Sequence, residues 1–114
     1  VQYAAAGYVS INKQFASPSS VDSIVTSKGQ EDHVSMAANA GLKCEMIAKN
    51  VQFVMAMEWM TAVRAWSFRP NWKLNTLLND KVLQYLEQVP LIEDDHIPSL
   101  QYDTTIEFLE NKCS

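Results

Sequence analysis

The chain has 114 residues, of which 47% are hydrophobic and only 19% charged, with a net charge of −4. That is one small domain's worth of sequence, and the lack of any Lys/Arg stripe excludes nucleic acid as a partner class. No run of 18 apolar residues marks a membrane span, and no signal peptide precedes the first element.

Soluble domains usually carry about a quarter charged residues. A small chain has proportionally more surface, so the shortfall predicts that part of this surface is covered by polypeptide outside the chain. The sequence opens at Val1 without an initiator methionine, inside the apolar stretch Val-Gln-Tyr-Ala-Ala-Ala-Gly-Tyr-Val. Such a start reads as the interior of a longer polypeptide. Cys44 and Cys113 show no CxxC spacing and imply free thiols in a reducing cytosol.

Val1 to Phe15 reads as a helix whose small residues, Ala4 to Gly7, permit close helix contact; Pro18 stops it. Residues 16–30 read as a loop. Ser17, Ser19, Ser20, Asp22, Ser23, Thr26, Ser27 and Gly29 compete for backbone hydrogen bonds there, with Val21, Ile24 and Val25 as apolar anchors. A long helix is predicted over 31–68, with Glu31 and Asp32 in its first turn, where the helix dipole favours carboxylates, and Ser27 or a neighbour as cap. At 1.5 Å per residue it would run roughly 55 Å. Its centre, Phe53 to Val63, is apolar around nearly the whole circumference and needs several helices packed about it. Glu58 inside that run needs an Arg, a backbone N–H or another subunit's donor as partner.

Beyond Arg69-Pro70, residues 70–114 read as peripheral helices. Leu74 to Gln88 is amphipathic, with Leu77, Leu78, Val82, Tyr85 and Leu86 on one side and Pro90 closing it. A short last helix over Asp103 to Leu109 takes Asp103 as its cap. The run Glu93-Asp94-Asp95 with His96 reads as a solvated loop. No segment alternates like a strand, so the class is all-α, a long central helix with shorter flanking helices. No metal site is predicted: Glu31, Asp32 and His33 are adjacent, and helical ligands need i,i+3 or i,i+4 spacing.

Two runs carry more. Ser17-Pro18-Ser19-Ser20-Val21-Asp22-Ser23-Ile24-Val25-Thr26-Ser27, followed by Gln30-Glu31-Asp32-His33-Val34-Ser35-Met36, resemble the histidine-type ammonia-lyases of the aromatic amino acid lyase and aminomutase family. The resemblance continues through Asn50-Val51 and Glu58 to Phe68-Arg69 and weakens after Pro70. It implies that residues 1–114 are the carboxy-terminal portion of a mostly helical, cytoplasmic homotetramer. The implied chemistry is elimination of ammonia from L-histidine to give urocanate. It uses a methylidene-imidazolone group made from an Ala-Ser-Gly segment that this chain lacks, so the chain alone is expected to be inactive and needs the amino-terminal portion as partner.

The resemblance also implies that the loop 16–30 and the helix 31–68 border the active site. It assigns Glu31 as the substrate-binding and catalytic residue. Histidine-type members carry this glutamate facing the substrate, whereas phenylalanine-type members tend to carry glutamine. A carboxylate accepts the N–H donors of an imidazole, and a benzene ring offers none. Departures from the pattern are Ser17 for the usual His, Val25 for a proline and Lys28-Gly29 for Ala-Asn. They keep open a lyase or aminomutase acting on tyrosine or phenylalanine, and beside it a non-catalytic helical assembly module.

Overall fold

The computed structural model describes residues 1–69, 71–92 and 97–112. Pro70, the acidic run with His96, and Cys113 lie outside them. Helix α1 spans Gln2–Phe15, α2 Ala37–Ser67, α3 Thr76–Gln88 and α4 Tyr102–Lys112. Among the described residues there is no strand, and a single antiparallel bridge joins Thr26 to Glu31. The all-α reading holds. The chain divides into two units, Gln2–Val51 and the part from Gln52 onward, and each is described by itself.

In the second unit the core consists of Val63 on α2, Val82 and Tyr85 on α3, Val89 just after it and Phe108 on α4. Trp59, Tyr85 and Phe108 form an aromatic cluster: the Tyr85 and Phe108 centroids lie 5.2 Å apart edge to face, and those of Trp59 and Tyr85 5.9 Å apart at 90°. These are the arrangements that ring quadrupoles favour. Asn75 caps α3 by accepting the Leu78 N–H at 2.8 Å. Arg64 donates to the Ile92 carbonyl at 2.8 Å, tying the chain after α3 back to α2.

Several expectations for this unit need correction. Asp103 lies inside the first turn of α4 and does not cap it, because the turn Pro98–Gln101 leads directly into that helix. On α3 the buried stripe is Val82 and Tyr85, whereas Leu77 is 71% exposed. Within Phe53–Val63 only Ala56, Met57 and Val63 are buried, and Glu58 is exposed, with no ion pair to a described residue. A carboxylate that keeps its water needs no counter-charge.

The first unit differs in kind. Residues 2–51 bury no apolar side chain; Ser19 is their one buried residue. Polar ties do the joining. Asn50 Nδ2 donates to Asn12 Oδ1 at 2.7 Å, linking α2 to α1. Lys43 Nζ donates to the Ser17 carbonyl at 3.1 Å and its hydroxyl at 3.2 Å, fixing the exit of α1. Tyr3, Val21, Val25 and Leu42 are each at least 60% exposed. No helix among the described residues is long and apolar enough to cross a membrane.

The long helix begins at Ala37, six residues later than Glu31, and ends at Ser67. Glu31 and Asp32 therefore do not lie in its first turn, and Ser27 does not cap it. The segment before Ala37 is held out of the helix by contacts described next.

Candidate active site

The site is built from the loop between α1 and α2. Pro18 sets an extended backbone at φ −61°, ψ 126°, and a turn follows over Ser19–Asp22. Ser23 to Val25 then lead to Thr26, which pairs with Glu31. The Thr26 N–H donates to the Glu31 carbonyl at 2.9 Å, and the Glu31 N–H donates back to the Thr26 carbonyl at 3.4 Å. Between them the chain reverses over Ser27, Lys28 and Gly29, all with positive φ, at 53°, 56° and 89°. The Thr26 carbonyl also accepts the Gly29 N–H at 3.1 Å, and the Gln30 N–H closes on the Ser27 carbonyl at 3.2 Å.

A second tie lies further out. Ser23 Oγ donates to the Val34 carbonyl at 3.0 Å and accepts the Val34 N–H at 2.9 Å. Ser23 lies three residues before Thr26, and Val34 three residues after Glu31. In a regular antiparallel pair such a position, an odd number of residues from the bonded pair Thr26–Glu31, carries no main-chain bonds, so the hydroxyl makes a tie that the two backbones would not make themselves.

Both polar backbone groups of Glu31 are thus engaged, and its carboxylate is exposed. Asp32 and His33 are also exposed. His33, Ser19, Ser20, Ser35 and Met36 line a recess of about 510 Å³ at the start of α2, and Glu31 is not on its wall. Ser19 Oγ is buried without a hydrogen-bond partner among the described residues. No group of three or more His, Cys, Asp or Glu able to hold a metal occurs among them. Cys44 is exposed and free.

Sequence reasoning singled out Glu31 by its motif and did not single out Ser23 or Lys43, whose side chains tie this loop together. Ser23 lies inside the Ser-Val-Asp-Ser-Ile run, yet its partner is 11 residues away and no local rule connects them. Lys43 reaches across 26 residues to Ser17.

Comparison with known proteins follows the same segment. The family model for aromatic amino acid lyases matches residues 1–88. Histidine ammonia-lyase of Bacillus cereus (strain B4264) is 39% identical over 114 residues, which is all of this chain and 22% of that protein. The Bacillus thuringiensis (strain Al Hakam) histidine ammonia-lyase is likewise 39% identical, with 23% of its length covered. Among solved structures, histidine ammonia-lyase from Trypanosoma cruzi superposes with a TM-score of 0.89 at 28% identity, over 96% of this chain and 22% of that one. The similarity continues past Pro70, beyond the segment that carries the motifs. The chain spans less than a quarter of the length of these relatives.

Proposed function

The chain belongs to the aromatic amino acid lyase family, and from that premise we propose that it forms the carboxy-terminal portion of an ammonia-lyase converting L-histidine to urocanate, with Glu31 facing the substrate. The observation that carries the reading is the state of Glu31. Its backbone is held on both sides by Thr26, while its carboxylate makes no bond to another described residue. A charged acceptor on a fixed backbone is suited to receive a donor from outside.

The imidazole of histidine supplies that donor as a ring N–H, and a charge-assisted bond of this kind orients the ring. A flat benzene ring would leave the carboxylate without a partner, so the same residue disfavours phenylalanine. This chain contains no Ala-Ser-Gly run, so the methylidene-imidazolone electrophile of such an enzyme belongs to polypeptide outside it. What these residues supply is orientation of the substrate's side chain. The intact enzyme on this reading is a cytoplasmic homotetramer, and the uncovered apolar surface of residues 2–51 supports further polypeptide packing there.

The test uses the full-length protein with L-histidine, following urocanate by its absorbance. Losing the charge in Glu31→Gln should lower kcat/KM for histidine about 10- to 100-fold, the worth of one hydrogen bond to a charged group. Product from tyrosine or phenylalanine with none from histidine would overturn the substrate assignment. An unchanged Glu31→Gln rate would remove Glu31 from the site.

A further inference from the structure

The loop carries two registered ties, and only one of them involves Glu31 directly. From the other we infer that Ser23 is a positioning residue for Glu31: its hydroxyl, by bonding both backbone groups of Val34, fixes the arm on which Glu31 stands. The inference rests on the reading of Glu31 as the substrate-facing carboxylate.

The Thr26–Glu31 bridge is one rung, with one of its two bonds at 3.4 Å. A single rung is a pivot, because the arm beyond it can swing about the bridge. The residues between the rungs, Ile24 and Val25 on one arm and Asp32 and His33 on the other, make no backbone hydrogen bonds across the gap. The Ser23 hydroxyl closes the pair three residues away with two good bonds, 2.9 and 3.0 Å. Two rungs define a direction where one defines only a point. The arm from Glu31 to Val34 then has a set path into α2 at Ala37.

The geometry needs a side chain here. No ladder continues past Thr26–Glu31, and three residues from that bonded pair the main chains of a regular antiparallel pair would not bond each other, so only a side chain can tie position 23 to Val34. A serine hydroxyl is one donor and an acceptor on a short stem. Alanine offers neither group, and valine offers neither and adds bulk. Threonine retains both functions.

In the full-length enzyme, Ser23→Ala should lower kcat/KM for histidine about 10-fold, because misplacing a reacting group by a fraction of an ångström costs rate steeply. The loss should fall mainly on kcat, and Ser23→Thr should return activity to within about threefold, since it restores both bonds. The deciding measurement is a double-mutant cycle with Glu31→Gln. A residue acting through Glu31 loses its effect once Glu31 is disabled, so Ser23→Ala should cost less than about twofold in the Glu31→Gln background. Equal losses in both backgrounds, no loss in the wild-type background, or no rescue by threonine would each overturn the inference. If Ser23→Ala does not accumulate as folded protein, Ser23→Cys takes its place in the cycle, keeping the shape with a weak donor and acceptor. An unchanged rate for Glu31→Gln alone is a different failure: it removes the underlying reading of the site.

Discussion

Tyr85 donates its phenolic proton to Thr105 Oγ1 at 2.9 Å, in the interior between α3 and α4. The direction follows from proton counting. Thr105 has one hydroxyl hydrogen and gives it to the Gln101 carbonyl at 2.7 Å, so toward Tyr85 it can only accept. Both residues are buried, at 2% and 0% exposure. Removing either end therefore has unequal consequences. Tyr85→Phe leaves Thr105 still bonded to Gln101 and should cost about 0.5–1.5 kcal/mol. Thr105→Val strands a buried phenol and should cost about 1–3 kcal/mol. The double variant should be more stable than Thr105→Val alone, as nothing is then left unpaired. Urea unfolding of the full-length protein reads all three, and a double variant less stable than Thr105→Val would contradict the assigned direction.

The same burial sets a pH dependence. Desolvation pushes the Tyr85 phenol above its ordinary value. Above the ordinary tyrosine value of about 10 the unfolded chain loses this proton while the folded chain keeps it. The contribution to stability is complete below that pH and is lost as pH rises toward the folded value. Stability of the wild type should fall more steeply as pH rises above about 10 than that of Tyr85→Phe. Parallel slopes would show that the phenol ionises without resistance from the fold.

Much of the architecture is legible from single residues. Pro18 follows α1, Pro90 follows α3, and Val82 and Tyr85 of the amphipathic stripe lie in the core. The start of α2 was not legible. Glu31 and Asp32 carry the charge signature of a first helical turn, and nothing local warns that the Ser23 hydroxyl captures Val34 and that the helix starts only at Ala37. Asp103 misled for a similar reason: the preceding turn over Pro98–Gln101 supplies the helix entry. Leu77 was read as core because sequence shows which residues are apolar, not which neighbour covers them. Glu31 is singled out only by its motif, since an acid after a serine-rich loop is otherwise ordinary.

That limit gives a prediction about coverage. Leu42 and Met46 lie one turn apart on α2 and are 60% and 40% exposed. A truly solvated leucine tolerates a charge within about 0.5 kcal/mol. If other polypeptide of the intact enzyme covers this face, Leu42→Asp places a carboxylate in an apolar contact and should cost more than about 2 kcal/mol there. Expressed alone, the 114-residue chain should bind a hydrophobic dye and exchange the amides of residues 2–51 rapidly, because little apolar burial protects them. Slow exchange in the isolated chain, together with a harmless Leu42→Asp in the full-length protein, would mean that this surface faces water.

The turn before Glu31 offers a test of backbone conformation free of steric confusion. Gly29 has φ +89°, and a Cβ added there would meet nothing within 4 Å. Any cost of a substitution is thus conformational. Alanine resists positive φ by roughly 1–2 kcal/mol, whereas asparagine, whose side chain bonds locally, visits this region more readily. Gly29→Ala should therefore destabilise the loop by about that amount, and Gly29→Asn by clearly less. Lys28, at φ 56° and ψ 33°, has no such latitude, and Lys28→Gly should stabilise by up to about 1 kcal/mol through relief of the left-handed strain. Thermal unfolding of the three variants in the full-length protein checks the order. If alanine and asparagine at position 29 behave alike, the left-handed turn is not what holds Glu31 opposite Thr26.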